Sequence, residues 1–259
     1  MGKFDGYLIC SDLDGTMNLQ GEVVESNIEA IRYFQENGGY FTICSGRNPE
    51  YLRQFLDKVD PNTFVIGYGG AKGVNLHTGE VLFEEVYTEE MKDIYRDMIA
   101  VSCGVRTAFF HFTGDPSYTS FTLEEYLERE DDILSRSISK AGITYHEEED
   151  CTRATLTLVE KYKNEPVEIV RSYYRCLELI SENGSKRSAS HKLKKALGAH
   201  TLICAGNFEN DASMIEGADI GYAVGDSIDS VKAIADRITV DASEGAIRAI
   251  IEDIERDLQ

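Results

Sequence analysis

The chain has 259 residues, with 26 Lys and Arg against 46 Asp and Glu, a formal net charge of −20. Such a surface repels nucleic acid and anionic lipid, so no nucleic-acid or membrane partner is expected, and an anionic substrate would need a local cation. The six cysteines lie far apart without a Cys-x-x-Cys pair, which argues for buried reduced thiols rather than zinc or redox chemistry. With no basic leader before an apolar stretch and no apolar run long enough for a bilayer, a soluble cytoplasmic protein is expected.

Tyr7-Leu8-Ile9-Cys10 reads as a buried strand that delivers Ser11-Asp12-Leu13-Asp14-Gly15-Thr16 at its C-terminal end. If the chain stays extended, Asp12 and Asp14 point to the same side, and two close carboxylates repel unless a cation lies between them. Oxygen donors at this spacing suit a hard divalent cation such as Mg²⁺. A plain strand followed by an Asp-Gly turn is the alternative reading of this stretch. The pattern then predicts a helix over 23–37, a strand over 40–44 closed by Ser45-Gly46-Arg47, a helix over 49–59 and a strand over 64–67. Strands alternating with helices argue for a parallel sheet covered on both faces, with ligands beyond the carboxyl ends of its strands.

After Gly69-Gly70 the rhythm changes. A hairpin is predicted across His77-Thr78-Gly79-Glu80, then a helix over 88–102 capped by Thr88 and a strand over 106–112. Further on, 122–139 reads as a charged helix, 153–159 alternates like a half-solvated strand, 165–175 reads as a helix and 176–180 as a strand. Glu147-Glu148-Glu149-Asp150 reads as a solvated loop or face. The mixture lacks the strand–helix rhythm and reads as an inserted α+β domain. From a helix over 192–197 the first rhythm returns, with strands over 201–205, 220–224 and 237–240 and helices over 212–216, 231–235 and 245–258.

Three segments could converge on Asp12. Ser45-Gly46 offers a hydroxyl and a backbone N–H to a phosphate oxygen, or simply enters a helix. Lys186 is a cationic clamp or an ordinary surface lysine. Gly206-Asn207-Phe208-Glu209-Asn210-Asp211 completes a metal site or caps the next helix. Taken in order, these segments resemble the four motifs of the haloacid dehalogenase superfamily of phosphohydrolases. Asp12-Leu13-Asp14-Gly15-Thr16 is similar to the first, Cys44-Ser45-Gly46-Arg47 to the second, Lys186 to the third and Gly206–Asp211 to the fourth. An insertion between the second and third motifs resembles the Cof-like, type-IIB branch.

That resemblance implies an α/β fold: a Rossmann-like parallel-sheet core formed by residues 1–83 and 182–259, with an inserted α+β cap domain over 84–181. It implies a phosphatase acting on a small phosphorylated metabolite, a sugar phosphate by class, in two steps. Asp12 is the implied nucleophile and Asp14 the implied general acid and base. Asp12, the Asp14 carbonyl and Asn207 or Asp211 are the implied Mg²⁺ ligands. Ser45, Gly46, Lys186 and Asn210 are the implied phosphate-binding residues, and Arg47 would contact substrate or pin the cap. Asn207 departs from the family pattern, which usually has Asp there, so weaker metal binding is expected. Gly69-Gly70-Ala71 departs from a common Asn-Gly-Ala and bears on the cap hinge. A phosphosugar mutase and a catalytically impaired phosphate-ligand binding protein are the competing readings.

Overall fold

The structure is a computed structural model that describes residues 2–259. Strand β1 (Tyr7–Ser11) is followed by a small ribbon, β2 (Asn18–Leu19) with β3 (Glu22–Val23), and by α1 (Glu25–Glu36). Strand β4 (Tyr40–Ile43), the short α2 (Pro49–Leu52) and β5 (Val65–Gly67) come next. The antiparallel pair β6 (Lys72–Val74) and β7 (Val81–Glu84) forms the predicted hairpin. There follow α3 (Glu89–Val101), β8 (Val105–Phe112), β9 (Thr119–Thr122), α4 (Leu123–Ser135), β10 (Ile138–Tyr145), α5 (Glu148–Lys161), β11 (Val167–Tyr173) and β12 (Cys176–Ser181). The chain closes with α6 (Lys186–Leu197), β13 (Thr201–Gly206), α7 (Ala212–Glu216), β14 (Ile220–Ala223), α8 (Asp229–Lys232), β15 (Arg237–Ile238) and α9 (Ala246–Asp257).

The first sheet is parallel, in the order β15-β14-β13-β1-β4. A parallel bridge from Cys44 to Ile66 ties β5 to its edge. Alternation along the strands feeds both faces. Ile9, Phe41 and Ile203 pack with Phe34 of α1 and Ile250 of α9, while Leu8, Cys10 and Cys204 pack with Ala189 and Leu193 of α6. This is the two-faced burial that near-continuous apolar strands require.

The second sheet is antiparallel, in the order β11-β12-β10-β8-β9. One face carries Phe110, Ala141, Ile143 and Leu179, packed against Tyr95 and Met98 of α3 and Tyr126 of α4. Register places Phe109, His111, Lys140, Gly142 and Glu178 on the other face. That face turns toward the parallel sheet: Lys140 Nζ donates to the Gly46 carbonyl, and the Tyr68 ring lies 5.0 Å from that of His111.

Several predicted elements differ here. Residues 153–159 are helical, inside α5. The alternation of Ala154, Leu156 and Leu158 suggested a strand, but the buried positions are Cys151, Ala154 and Leu158, a helical spacing, and Leu156 is 69% exposed. The Thr155 and Thr157 hydroxyls donate to the carbonyls four residues back, so both are satisfied within the helix. The acidic run before them fills the first turn of α5, where the helix dipole favours it. Residues 165–175 are largely strand β11, not helix, because pairing with β12 outweighs local preference. Helix α4 stops at Ser135, and β10 follows where more helix was predicted; a register shift between Ile138 and Lys140 interrupts the alternation that would have marked it. The predicted helix over 49–59 is only α2 and a 3-10 turn, Arg53–Phe55. Helix α6 starts at Lys186, six residues earlier than predicted.

Candidate active site

Strands β13, β1 and β4 are neighbours and parallel, so their carboxyl ends share one edge. Asp12 follows β1, Ser45 lies two residues beyond β4 and Asn207 follows β13. Asp12 N–H donates to the Ala205 carbonyl, which continues the β1–β13 ladder and fixes where the carboxylate leaves the sheet. Lys186 enters from the first turn of α6, whose N-cap Ser185 accepts from Ser188 N–H. Its ammonium is 1% exposed and donates to Asp12 Oδ1 at 2.6 Å and to Asp211 Oδ1 at 2.5 Å.

Two buried carboxylates thus share one buried cation. Burial pushes the Asp12 carboxyl up to about 7, Asp211's charge adds to this, and Lys186 opposes it. Asp14 contributes less than Asp211, so the strongest like-charge neighbour of Asp12 is not the adjacent motif carboxylate the sequence suggested. Burial alone would lower the Lys186 ammonium, but the two carboxylates outweigh it and hold its affinity for the proton above the usual value.

Asp14 is half-buried and pinned from both sides. Its Oδ1 accepts from Asn18 Nδ2 at 3.0 Å, and its Oδ2 accepts from Arg47 Nε at 2.8 Å. Arg47 also stacks on the Tyr51 ring, 4.8 Å from its centroid. Both side chains of this ion pair are about half exposed, so it orients Asp14 more than it stabilises the fold. Asn207 Oδ1 accepts from Thr16 Oγ1 at 3.4 Å. Gly15 has φ +81, and a Cβ there would lie 2.4 Å from Asn207 Nδ2, so glycine both makes the turn and admits the amide.

Asp211 is fully buried, and both of its oxygens are engaged: Oδ1 by Lys186, Oδ2 by the N–H groups of Asn207 and Phe208 at 2.9 and 3.3 Å. The oxygens left to face a cation come from Asp12, the Asp14 main chain and Asn207. This all-oxygen set fits a hard divalent ion, with one carboxylate where the family usually offers more. No cluster of three or more Asp, Glu, His or Cys suited to a metal occurs among the described residues.

Ser45 is buried, and its Oγ accepts from Arg47 N–H at 3.1 Å. Asn210 lies half-buried in the 3-10 turn that carries Asp211. His191 is an exposed helix residue whose Nε2 meets the Gly217 carbonyl. The residues that sequence reasoning missed come from the second sheet. Lys140 reaches the Gly46 carbonyl at 2.8 Å and pairs with Glu178 Oε1 at 2.8 Å, with both side chains under 10% exposed. Arg171 of β11 pairs with Glu209 in the Asn207 loop, and Tyr174 packs edge-on against Phe208. No motif marks these positions; correct strands for β10 and β11 would have put them on the right face.

Comparison with known proteins bears on the whole of this arrangement. Residues 9–251 match the haloacid dehalogenase-like hydrolase family. The 5-amino-6-(5-phospho-D-ribitylamino)uracil phosphatase YcsE of Bacillus subtilis is 27% identical over 252 residues, covering 95% of each chain. A second Bacillus subtilis phosphatase of that name, YitU, is 21% identical over 265 residues, covering 95% of this chain and 97% of its own. Among solved structures, the subclass IIB sugar phosphatase BT4131 superposes with a TM-score of 0.74 at 19% identity, over 95% of this chain and 98% of that one.

Proposed function

This chain belongs to the haloacid dehalogenase-like hydrolases, as a phosphatase of that family, and we propose that it hydrolyses a small phosphorylated metabolite, a sugar phosphate by class, with Mg²⁺ and in the cytoplasm. The observation that carries this reading is the buried Asp12–Lys186–Asp211 cluster at the carboxyl edge of the parallel sheet. In this reading residues 84–181 form a cap over a core of residues 1–83 and 182–259. The names of the relatives support phosphomonoester chemistry, and the strands' shared edge supports its location.

Asp12 attacks phosphorus through a carboxylate oxygen as the bond to the leaving oxygen breaks, and Asp14 gives that oxygen a proton. Asp14 then takes a proton from water, whose oxygen attacks phosphorus and releases phosphate from Asp12. Arg47 now holds Asp14 Oδ2; turning Arg47 to a substrate oxygen would release the Asp14 carboxyl to reach the leaving oxygen. Lys186, Ser45, Gly46 and Asn210 hold the phosphoryl oxygens. Asp12, the Asp14 carbonyl and Asn207 would hold Mg²⁺, which when bound offsets the repulsion between carboxylate and dianion. Asp211 fits a positioning role better than a ligand role, since its oxygens already hold Lys186 and the Asn207 loop.

Phosphate release from p-nitrophenyl phosphate, with Mg²⁺ and with chelator, tests the reading. Turnover that needs Mg²⁺ is expected. An inert, well-folded protein would shift the weight to ligand binding without catalysis.

A further inference from the structure

The face of the second sheet that looks at the site holds a charge pair with polar atoms left over. Lys140 stands opposite His111 in the β10–β8 register, and Glu178 stands opposite Gly142 on the other side. Lys140 donates to the Gly46 carbonyl and forms an ion pair with Glu178 Oε1. Glu178 Oε2 is buried without a partner among the described residues, and so is His111 Nδ1. Glu178 is 3% exposed and His111 8%. Leaving such atoms unpaired is costly, and native structures rarely do so without a reason.

Both atoms belong to residues packed against the loop that follows β5. The His111 ring lies against Tyr68, and Glu178 Oε2 would be 3.9 Å from a Cβ on Gly69. His111 Nδ1 has no partner among the described residues, and in the tautomer that carries its proton on Nε2 it is free to accept. The face therefore presents two acceptors. Lys140, the cation on it, is already matched by Glu178.

We propose that Glu178 Oε2 and His111 Nδ1 select the leaving half of the substrate by accepting hydrogens from its hydroxyl or amino groups. A second phosphate or a carboxylate set against these two atoms is itself an acceptor and meets no unmatched cation among the described residues, so a leaving half that carries one is disfavoured. This rests on the phosphatase reading. Because the two atoms are covered in this structure, the sheet must lift from the 68–70 loop for substrate to enter, which breaks the Lys140–Gly46 contact.

The test uses the full chain with Glu178→Gln and, separately, His111→Phe, which keeps a flat ring between Tyr68 and Tyr118. The probes are p-nitrophenyl phosphate, a set of polyol monophosphates (hexose 6-phosphates, ribitol 5-phosphate, glycerol 3-phosphate), fructose 1,6-bisphosphate and phosphoglycolate. The wild-type protein should have its highest kcat/KM among the metabolites on a polyol monophosphate. In each variant that folds, the ratio of kcat/KM on that compound to kcat/KM on the aryl phosphate should fall about tenfold or more. A merely structural role would lower both equally and leave the ratio unmoved, and that result overturns the proposal. So does a preference for the bisphosphate or phosphoglycolate, or turnover of the aryl phosphate alone. A wild-type protein inert on every probe, aryl phosphate included, would sink the phosphatase reading itself, and the two failures are thereby told apart.

Discussion

Two buried ionic clusters face each other across this molecule, and they are built differently. On the parallel sheet, Lys186, Asp12 and Asp211 close on one another, and the remaining Asp211 oxygen is taken by two backbone N–H groups. On the second sheet, Lys140 and Glu178 are paired, but Glu178 Oε2 and His111 Nδ1 have no partners among the described residues. A network closed around a carboxylate holds that carboxylate in one place, which suits a reacting group. A network with spare acceptors suits a surface that a ligand completes. The contrast assigns chemistry to one cluster and selection to the other.

The sharpest break should come at Asp12. Asp12→Asn removes the proposed nucleophile while Lys186 keeps Asp211, so the fold should survive and phosphate release should fall by several orders of magnitude. Turnover within about tenfold of wild type in a folded Asp12→Asn protein would remove the nucleophile assignment. Next is Lys186→Met, which matches the length of the stem but leaves Asp12 and Asp211 buried together without a cation. Breaking one partner from a buried ionic network costs about 3–5 kcal/mol, so a clear drop in urea midpoint is expected. An unchanged midpoint would mean that solvent or a bound cation already neutralises the two carboxylates.

The first cluster was legible in the sequence and the second was not, for reasons of chain geometry. Asp12, Ser45 and Asn207 follow short apolar runs whose identity as strands needs no long-range information, and parallel pairing then brings their ends together. Lys186 is found by order in the chain alone, and its double ion pair was not foreseen. In the second sheet, Lys140 sits just after a register shift that hides the alternation of β10, and Arg171 sits on the edge strand β11, whose residues are mostly half-buried. Leu156 misled in the opposite sense, because a single exposed leucine completed a false period of two. Where pairing partners rather than local pattern define an element, one sequence carries little information about it.

The second cluster should also be visible in acid. Burial, and after it the charge of Lys140, holds the His111 imidazole down at about 4, below its ordinary value of 6.5; Glu178 and Asp115 work the other way, and Tyr68 and Tyr118 flank the ring. The folded value lies below the unfolded one, so the unfolded chain binds more protons between them. The neutral ring's contribution is therefore complete above about pH 6.5 and is lost as pH falls toward 4, up to about 3 kcal/mol. Urea unfolding at pH 7.5 and 4.5, compared between wild type and His111→Phe, isolates this from the carboxylates. The wild-type protein should lose more stability than the variant over that interval; equal losses would mean that His111 charges freely in the folded state.

The smallest expected effect concerns Asn207, where the two clusters can be compared through the charge each carries. The Asn207 amide sits against Gly15 and Thr16, beside Asp12 and ahead of Asp211. Asn207→Asp keeps the shape and adds a negative charge to a site that already holds Asp12, Asp14 and Asp211 against Lys186 and Arg47. Without a divalent ion the added charge is repelled, and the melting temperature should fall by a few degrees, roughly 1 kcal/mol at this half-buried position. With Mg²⁺ the same charge becomes a ligand, so the concentration for half-maximal activity should fall about tenfold and the melting temperature should recover as Mg²⁺ is added. Saturated turnover should change less, because Asp12 and Asp14 still carry the reaction. The two readouts guard each other: a melting curve insensitive to Mg²⁺ in both proteins would place the cation elsewhere, whatever the activity does. A variant that binds Mg²⁺ no more tightly than wild type would show that position 207 is not a deficient ligand, and that the backbone hold of Asp211 on this loop is what the site requires of it.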